Sequence, residues 1–380
     1  MLRRALMLVA AWAVVVQASE YRVIETFEVA KAPACMPALT RAPNDDLLVA
    51  FSTEWEPFPW GGILKLVRST DEGRTWSGPV VLWKDPDPRV TIQVSNGMQT
   101  LSNGEIVLPV TYCLVPKHRD APADAQRWNE VYNPKDPGYR REVRLLRSHD
   151  SGHTWTIEDP KLDKPWWRFG RLLETKDGRL IMPASAAYIE SRDFGRTWSS
   201  KISLGLPWAS ETNIVQAGDG RLFSFMRQRG EYRGITRHFI SNESYDVGKT
   251  WGKWHWTGVQ GKMPDFLVTS HGWILLAVGA EGLEDGSEIS WYPERHSFAT
   301  LFISTDEGRS WLRDVSFAQV TKGSSVVPGD SPVMCPLKNG RVLVVIQAID
   351  RHTQRKINGP EQGKSLIGNI IEPRDARFRR

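Results

Sequence analysis

Short segments that alternate apolar and polar positions recur along the whole chain, and turn residues separate them. Residues 97–108 read GMQTLSNGEIVL, and residues 171–182 read RLLETKDGRLIM. Each segment predicts a strand, a glycine-containing turn and a second strand. Further apolar stretches at residues 63–68, 144–147 and 300–303 predict a third strand in each of their units. The pattern therefore indicates an all-β protein built from repeated units.

An eight-residue repeat, Ser-x-Asp-x-Gly-x-Thr/Ser-Trp, follows the predicted third strand of each unit. It occurs five times, at residues 69–76, 148–155, 191–198, 244–251 and 304–311. The Ser and Asp oxygens can accept hydrogen bonds from turn N–H groups, and Gly supplies a positive φ. The Trp then re-enters a strand and packs on a neighbouring sheet. The repeat is therefore predicted to be a structural hairpin and not a catalytic element.

The number of repeats predicts the architecture. Four short strands per unit, with repeats 43 to 79 residues apart, are typical of propeller blades. Residues 331–346 and 365–371 predict a sixth unit that lacks its fourth strand, and residues 21–30 form an unassigned β-like segment. We therefore predict a six-bladed β-propeller over residues 19–372, with four-stranded blades and an N-terminal strand that closes the last blade. Residues 112–141 are predicted to be an insertion that serves as a lid or binding loop.

The chain termini differ from the predicted propeller in composition. Residues 1–18 contain Arg3, Arg4 and an apolar run, and they end in VQA, which predicts a cleaved secretory signal peptide and an exported protein. An uncleaved membrane anchor is the alternative. Without Arg3 and Arg4 the net charge falls from +5 to +3, which gives no indication of nucleic-acid binding. Past residue 20 no apolar run is long enough to span a membrane. The basic tail at residues 373–380 is expected to be frayed.

The sequence predicts no metal and no cofactor. Cys35, Cys113 and Cys335 are odd in number and far apart, so they form no zinc motif. One disulfide pair and three buried thiols remain equally open. His118, in the insertion, is expected to be exposed, and His153, inside a repeat, is expected to be structural.

The eight-residue repeat resembles the Asp box of the sialidase (neuraminidase) superfamily. The chain resembles the BNR-repeat members of that family over roughly residues 21–372. The resemblance implies a six-bladed propeller with a sugar-binding funnel on the face opposite the Asp boxes. It also implies three arginines that hold the substrate carboxylate, a Tyr nucleophile paired with a Glu, and an Asp acid/base.

The resemblance carries over to only some of the site positions. Glu211 and Arg227 match the activating Glu and one arginine, although they could also form a structural ion pair. Arg295 lies close to the position of another arginine, with an offset of about two residues. Other family positions are replaced: Cys35-Met36-Pro37 stands for Arg-Ile-Pro, Glu54 or Glu56 could stand for the Asp, and Gly329-Asp330-Ser331-Pro332 occupies the place of the Tyr.

The predicted innermost strands suggest a sugar site without any reference to a family. Their starting ends would bring three acids to one mouth, Glu211, Asp265 and Asp330. Aromatic faces cover a pyranose ring, while carboxylates, arginines and amides bind its hydroxyls. Two of these acids could act as acid and as base or nucleophile, and the pairs to test are Asp265 with Glu211 and Asp330 with Glu211. Each acid alone could instead be solvated or pair with Arg168. The predicted substrate-binding residues are Arg227, Arg168, Arg295, Trp166, Trp208 and Asn96.

Three functions are compatible with this sequence. The first is an exported glycoside hydrolase that removes terminal sugars from a glycan. The second, favoured by the replaced catalytic positions, is a propeller that binds a glycan or a protein without catalysis. The third is a propeller polysaccharide lyase, which would need a Tyr or His base beside an arginine.

Overall fold

The fold is known from a computed structural model that describes most of the chain after residue 18. The described residues are 19–31, 34–53, 63–87, 89–94, 96–114, 138–162, 170–206, 209–228, 231–232, 235–236, 238–279, 299–317, 326–350 and 365–378. The predicted signal peptide, at residues 1–18, lies outside these ranges. Within them, no helix has the length and apolarity that a membrane crossing requires.

Six antiparallel sheets are arranged as the blades of a propeller, which confirms the predicted fold class. The first three blades contain the following strands. Blade one is β2 (Cys35–Arg41), β3 (Leu47–Ser52), β4 (Ile63–Ser69) and β5 (Val80–Lys84). Blade two is β6 (Val90–Val94), β7 (Gln99–Thr100), β8 (Ile106–Leu114), β9 (Arg140–Ser148) and β10 (Thr156–Glu158), with its innermost strand split into β6 and β7. Blade three is β11 (Leu173–Glu174), β12 (Leu180–Ala184), β13 (Ala187–Ser191) and β14 (Ile202–Ser203).

The other three blades follow the same order from the hub outwards. Blade four is β15 (Ala209–Gln216), β16 (Leu222–Gln228), β19 (His238–Ser244) and β20 (His255–Gln260), with a small hairpin of β17 (Glu231–Tyr232) and β18 (Ile235–Thr236). Blade five is β21 (Lys262–Val268), β22 (Ile274–Gly279), β23 (Thr300–Ser304) and β24 (Leu312–Ser316). Blade six is β25 (Val326–Pro336), β26 (Val342–Asp350), β27 (Ser365–Pro373) and β1 (Tyr21–Ala30).

The N-terminal strand closes the ring as predicted. β1 pairs antiparallel with β27, from Tyr21 opposite Pro373 to Ala30 opposite Leu366. The backbone N–H groups of Glu20 and Tyr21 also donate to the Asp314 carboxylate in blade five, at 2.5 and 2.9 Å. Because the chain supplies the last strand from its own beginning, blade six has no unpaired edge next to β27.

Each eight-residue repeat forms the turn between the third and fourth strands of its blade. In the copy at residues 191–198, the Ser191 hydroxyl donates to the Asp193 carboxylate at 2.7 Å and accepts the Gly195 N–H at 2.8 Å. The same carboxylate accepts the Thr197 N–H and hydroxyl at 2.8 and 2.6 Å. Every repeat tryptophan packs into the apolar cluster between its own blade and the preceding one. The structural role predicted for the repeat is confirmed.

Four arginines link the repeat turns of blades two to five to the preceding blade. Each guanidinium donates to the carbonyl of the residue just before the repeat glycine, and that residue has a positive φ, which turns its carbonyl out of the hairpin. The bonds are Arg68 to Ser151 at 2.9 Å, Arg147 to Phe194 at 2.9 Å, Arg179 to Val247 at 2.7 Å and Arg221 to Glu307 at 2.5 Å.

Two expectations about the outer parts of the chain need correction. The predicted insertion at residues 112–141 is partly strand, because β8 runs to Leu114 and β9 begins at Arg140; residues 115–137, which include His118, lie outside the described residues. The C-terminal tail is not frayed through residue 378. Phe378, in a short 3₁₀ turn at Ala376–Phe378, stacks on His271 with ring centroids 4.4 Å apart and packs at a tilt against Trp273 at 4.7 Å. Aromatic packing on blade five outweighs the basic character that suggested fraying.

Candidate functional site

Four of the described innermost strands are distorted at equivalent positions. The register puts Leu47 opposite Ser69, the first residue of a repeat, and Ser52 opposite Cys35, so the strands start at the end opposite the repeats. The pairing slips around a residue with a left-handed backbone near the start of three strands, at Met36 (φ 51°), Glu211 (φ 46°) and Met263 (φ 48°), and in the middle of the longer β25, at Ser331 (φ 44°). Bulges of this kind re-aim side chains and concentrate at functional sites, where their strain is tolerated.

These bulges gather eight residues that we call the hub mouth. They are Cys35, Met36, Ser210, Glu211, Lys262, Met263, Asp330 and Ser331. All eight are buried, and Cys35, Met36 and Met263 form an apolar, sulfur-rich cluster among them. The hub mouth therefore combines apolar, sulfur-containing side chains with charged groups.

Glu211 and Arg227 form an ion pair at the hub mouth. Arg227 Nη1 donates to Glu211 Oε1 at 2.6 Å, and the Met263 backbone N–H donates to Oε2 at 2.7 Å. Both side chains are almost fully buried. The contact with Met263 also links blade four to blade five. Glu211 therefore belongs both to the candidate site and to the interface between two blades.

Asp330 pairs with a lysine that the sequence reasoning did not identify. Lys262 Nζ lies 3.1 Å from Asp330 Oδ2, and the Ser331 N–H donates to Oδ1 at 2.8 Å. The sequence does mark this lysine by its position relative to a proline. Lys262, Cys35 and Asp330 each stand two residues before the proline that follows a bulge. The hub mouth thus carries two buried ion pairs on blades four, five and six.

Asp265 lies deeper than the other two predicted acids. It comes two residues after the bulge at Met263 and is completely buried. Its Oδ2 accepts the Met334 N–H at 2.7 Å, and its Oδ1 is 3.4 Å from Arg171 Nε. Burial raises the pKa of the Asp265 carboxyl to about 6, although Arg171 and the Met334 N–H oppose this rise. The structure therefore brings Glu211 and Asp330 to one layer and Asp265 to the next.

Arg171 joins the blades at the centre of that deeper layer. Its guanidinium donates to three backbone carbonyls, Phe266 at 3.1 Å, Met334 at 2.6 Å and Leu39 at 3.4 Å, which belong to blades five, six and one. Its backbone N–H donates to Asn213 Oδ1 in blade four at 2.8 Å. One side chain thus crosses the axis of the ring.

The residue predicted for blade three was Arg168, and Arg171 was missed. Arg171, Asn213 and Asp265 each precede the glycine of their hairpin by seven residues. Aligning the blades on that glycine would have found the axis position. Arg168 itself lies outside the described residues.

Asn96 also reaches the axis. Its Nδ2 donates to the carbonyls of Pro264 and Pro332 at 3.4 and 3.5 Å, and Asn213 Nδ2 donates to the same Pro264 carbonyl at 2.6 Å. Asn96 is buried, and these contacts are with the backbones of blades five and six. We call Asn96, Arg171, Asn213 and Asp265 the hub axis.

The other predicted site residues cannot be placed relative to this geometry. Trp166, Trp208, Arg295, Glu54 and Glu56 lie outside the described residues. In the described part of the chain, no three His, Cys, Asp or Glu residues come together as metal ligands. Cys35, Cys113 and Cys335 are buried and form no disulfide with one another, which decides between the two alternatives left open by the sequence.

Comparison with solved structures identifies similar propellers. A protein of unknown function from Dyadobacter fermentans has a TM-score of 0.67 at 18% identity, covering 93% of this chain and all of that chain. The intramolecular trans-sialidase from Ruminococcus gnavus has a TM-score of 0.60 at 13% identity, with 89% and 94% covered. The α-L-arabinanase from Penicillium chrysogenum has a TM-score of 0.57 at 14% identity, with 92% and 98% covered. Neither a protein-family model nor a curated protein sequence matches the chain. At these identities the similarity extends to the fold.

Proposed function

We propose that this protein is an exported, glycan-active protein whose hub mouth receives the terminal sugar of a glycan and cleaves its glycosidic bond. The observation that carries the proposal is the buried Glu211–Arg227 pair on a strained bulge at a strand start. Strain and buried charge at one place cost stability, and proteins retain that combination mainly where it serves function. The resemblance of the repeats to Asp boxes supports the same class of activity.

The proposed chemistry assigns different roles to the acids. Glu211 is held as a carboxylate by a guanidinium and a backbone N–H, which suits a base or a group that activates a nucleophile. A general acid must reach the glycosidic oxygen, and Asp330 is already engaged by Lys262 Nζ at 3.1 Å and by the Ser331 N–H at 2.8 Å. We therefore propose Glu54 or Glu56 as the proton donor. Asp265, inside the hub axis, is proposed to support the site and not to touch the sugar.

The charges favour a neutral sugar. Among the described residues of the hub mouth and their ion-pair partners, Glu211 and Asp330 neutralise Arg227 and Lys262. A sialic acid carboxylate would have to compete with these internal acids for a cation. We expect hydrolysis of an aryl α-L-arabinofuranoside or another neutral aryl glycoside to exceed that of an aryl sialoside.

The test is a panel of neutral aryl glycosides and aryl sialosides, assayed with the native protein and with Glu211→Gln. We expect Glu211→Gln to lower kcat/KM at least ~100-fold, the range usual for loss of a catalytic base. Glu158→Gln is the matched control, because Glu158 also pairs with an arginine, Arg147 at 2.9 Å, but on an outer strand. Equal turnover by both variants would contradict the proposed role of Glu211.

A second candidate is glycan binding without catalysis. It is favoured by the pairing of all three predicted acids with a cation or a backbone N–H. In that case the native protein would bind a glycan of the panel, hydrolyse none, and lose little affinity in Glu211→Gln.

A further inference from the structure

The blade-four copy of the repeat differs from the other four on its solvent-facing side. Tyr245 stands at the second position and is 75% exposed, where the other copies have Thr70, His149, Arg192 and Thr305. Val247 stands at the fourth position with φ 61° and is 36% exposed. A β-branched residue with a positive φ is an outlier because its Cβ crowds the backbone. This turn therefore keeps exposed apolar surface at a cost in strain.

The tryptophan of the same copy is bonded differently. In three other copies the indole N–H donates to the repeat glycine carbonyl, at 2.9 Å for Trp76, 3.2 Å for Trp155 and 3.1 Å for Trp198. In blade four the Tyr188 hydroxyl donates to the Gly248 carbonyl at 2.8 Å and lies 3.5 Å from Trp251 Nε1. In blade four the repeat glycine carbonyl is therefore bonded by a tyrosine of the preceding blade, and not by the indole N–H as in those three copies.

A concave pocket of about 450 Å³ lies beside this turn. Its volume falls in the range of small-ligand sites. The rings of Tyr245 and Trp251 contribute aromatic surface, and Glu243, Lys253 and His255 contribute polar groups. Glu243 is fixed by Arg221 Nη1 at 2.8 Å and by the Tyr245 hydroxyl at 2.6 Å. The Glu243 carboxylate is therefore preorganised, which lowers the entropic cost of binding to it.

We infer that this cavity, the blade-four pocket, is a second glycan-binding site that takes a neutral sugar unit. An exposed aromatic ring can cover the apolar face of a pyranose, and carboxylate, ammonium and imidazole groups can bond its hydroxyls. Glu243 and Asp246 outnumber Lys253 in the lining, which disfavours a phosphate or sialic acid group.

The blade-four pocket is separate from the hub mouth. It adjoins the end of blade four where Leu222 pairs with Ser244, whereas Ser210 pairs with Arg227 at the other end. The seven residues of β16 span roughly 20 Å between these ends. One terminal sugar cannot fill both sites. The pocket would instead hold another part of the same polymer and raise its local concentration at the protein. The inference does not depend on hydrolysis at the hub mouth.

The test is affinity electrophoresis of the full chain in gels containing arabinan, galactan, xylan or desialylated mucin, with four variants. Tyr245→Ala removes the ring, and Tyr245→Phe keeps the ring without its hydroxyl. Thr305→Ala changes the same position of the blade-five repeat, and Glu158→Gln changes the outer strand of blade two. Tyr245 is so exposed that its variants are expected to fold, which unchanged melting temperatures would confirm.

We expect at least one polysaccharide to retard the native protein. For that polysaccharide, Tyr245→Ala should weaken the apparent Kd roughly tenfold, and Tyr245→Phe by no more than about threefold. Thr305→Ala and Glu158→Gln should bind as the native protein does. The inference is overturned if no polysaccharide retards the native protein, or if Tyr245→Ala binds every retarding polysaccharide unchanged. Retention of binding in a protein without turnover would count against the proposed hydrolysis alone.

Discussion

The two ends of the same inner strands follow opposite physical strategies. At the repeat end, short polar side chains satisfy turn N–H groups, and their carboxylates remain partly exposed to water. At the mouth end, charged side chains are buried, and the backbone is bent into left-handed bulges. The repeat end lowers the energy of the fold locally in every blade. The mouth end adds strain and desolvation, which contacts between blades and the ion pair within blade four offset.

The difference shows how a propeller separates stability from chemistry. Hydrogen bonds within a repeat join residues two to four positions apart, such as Ser191 with Asp193 and Gly195. Bonds at the hub join distant parts of the chain, such as Arg171 with Met334 and Asn96 with Pro332. Local bonds form wherever the motif is present, whereas hub bonds require the closed ring. The hub is therefore the region where substitutions should couple one blade to another.

The largest expected effect on stability is at the hub axis. Arg171→Ala should reduce the free energy of unfolding by about 3–5 kcal/mol, because it leaves the buried Asp265 carboxyl and three carbonyls without their partner. Urea denaturation followed by tryptophan fluorescence measures the loss. Arg309→Ala is the control: Arg309 pairs with Asp219 at 3.4 Å but is half exposed, so its loss should cost less than about 1 kcal/mol. Similar losses in both variants would contradict the distinction between hub and surface.

The second prediction separates the two ends by pH. Burial raises the pKa of Asp265 to about 6 from an ordinary value of 3.8, so the folded state binds a proton more tightly than the unfolded chain does. The stability from this group is complete below pH 4 and is lost as the pH rises from 4 to 6. Partial burial raises the pKa of Asp193, but hydrogen bonds from Thr197 and Ser191 outweigh it and lower that pKa to about 2. The stability from Asp193 is therefore present above pH 4 and is lost as the pH falls towards 2.

The measurement is the urea midpoint between pH 2.5 and 7 for the native protein, Asp265→Asn and Asp193→Asn. Relative to the native protein, Asp265→Asn should remove a decline between pH 4 and 6. Asp193→Asn should remove part of the decline below pH 4. If the Asp265→Asn profile ran parallel to the native profile from pH 4 to 6, the hub carboxyl would not have the raised pKa.

The smallest effect is expected at a single repeat. Ser191→Ala removes the acceptor of the buried Gly195 N–H and should cost about 1–2 kcal/mol in unfolding free energy. Ser203→Ala is the control, because its hydroxyl accepts the Gly205 N–H at 3.1 Å in an exposed turn, where water can replace it. Neither variant should change glycan binding or turnover at the hub mouth. A change in KM for Ser191→Ala would show that the two ends are coupled.

The sequence predicted most of the fold because its determinants are local. The repeat, the alternating strands and the unassigned segment at residues 21–30 were enough to give six blades and their closure. Glu211 and Arg227 were also singled out by the resemblance, and an ion pair between them was one of the two interpretations left open. They occupy neighbouring strands of one blade, at the end opposite the repeats. Lys262 and Arg171 were missed because each contacts another blade, and their fixed offsets from a proline and a glycine become apparent only when the blades are aligned with one another.

The sequence alone determined how many blades form and where each hairpin turns, because those features depend on contacts a few residues apart. The tertiary structure decided which acids share a layer: Glu211 and Asp330 at the hub mouth, and Asp265 one layer deeper with Arg171. The physical reason is that a bulge shifts every later side chain of its strand along the axis. The effect of this shift on which charged groups form ion pairs appears only when the six innermost strands are assembled around one axis.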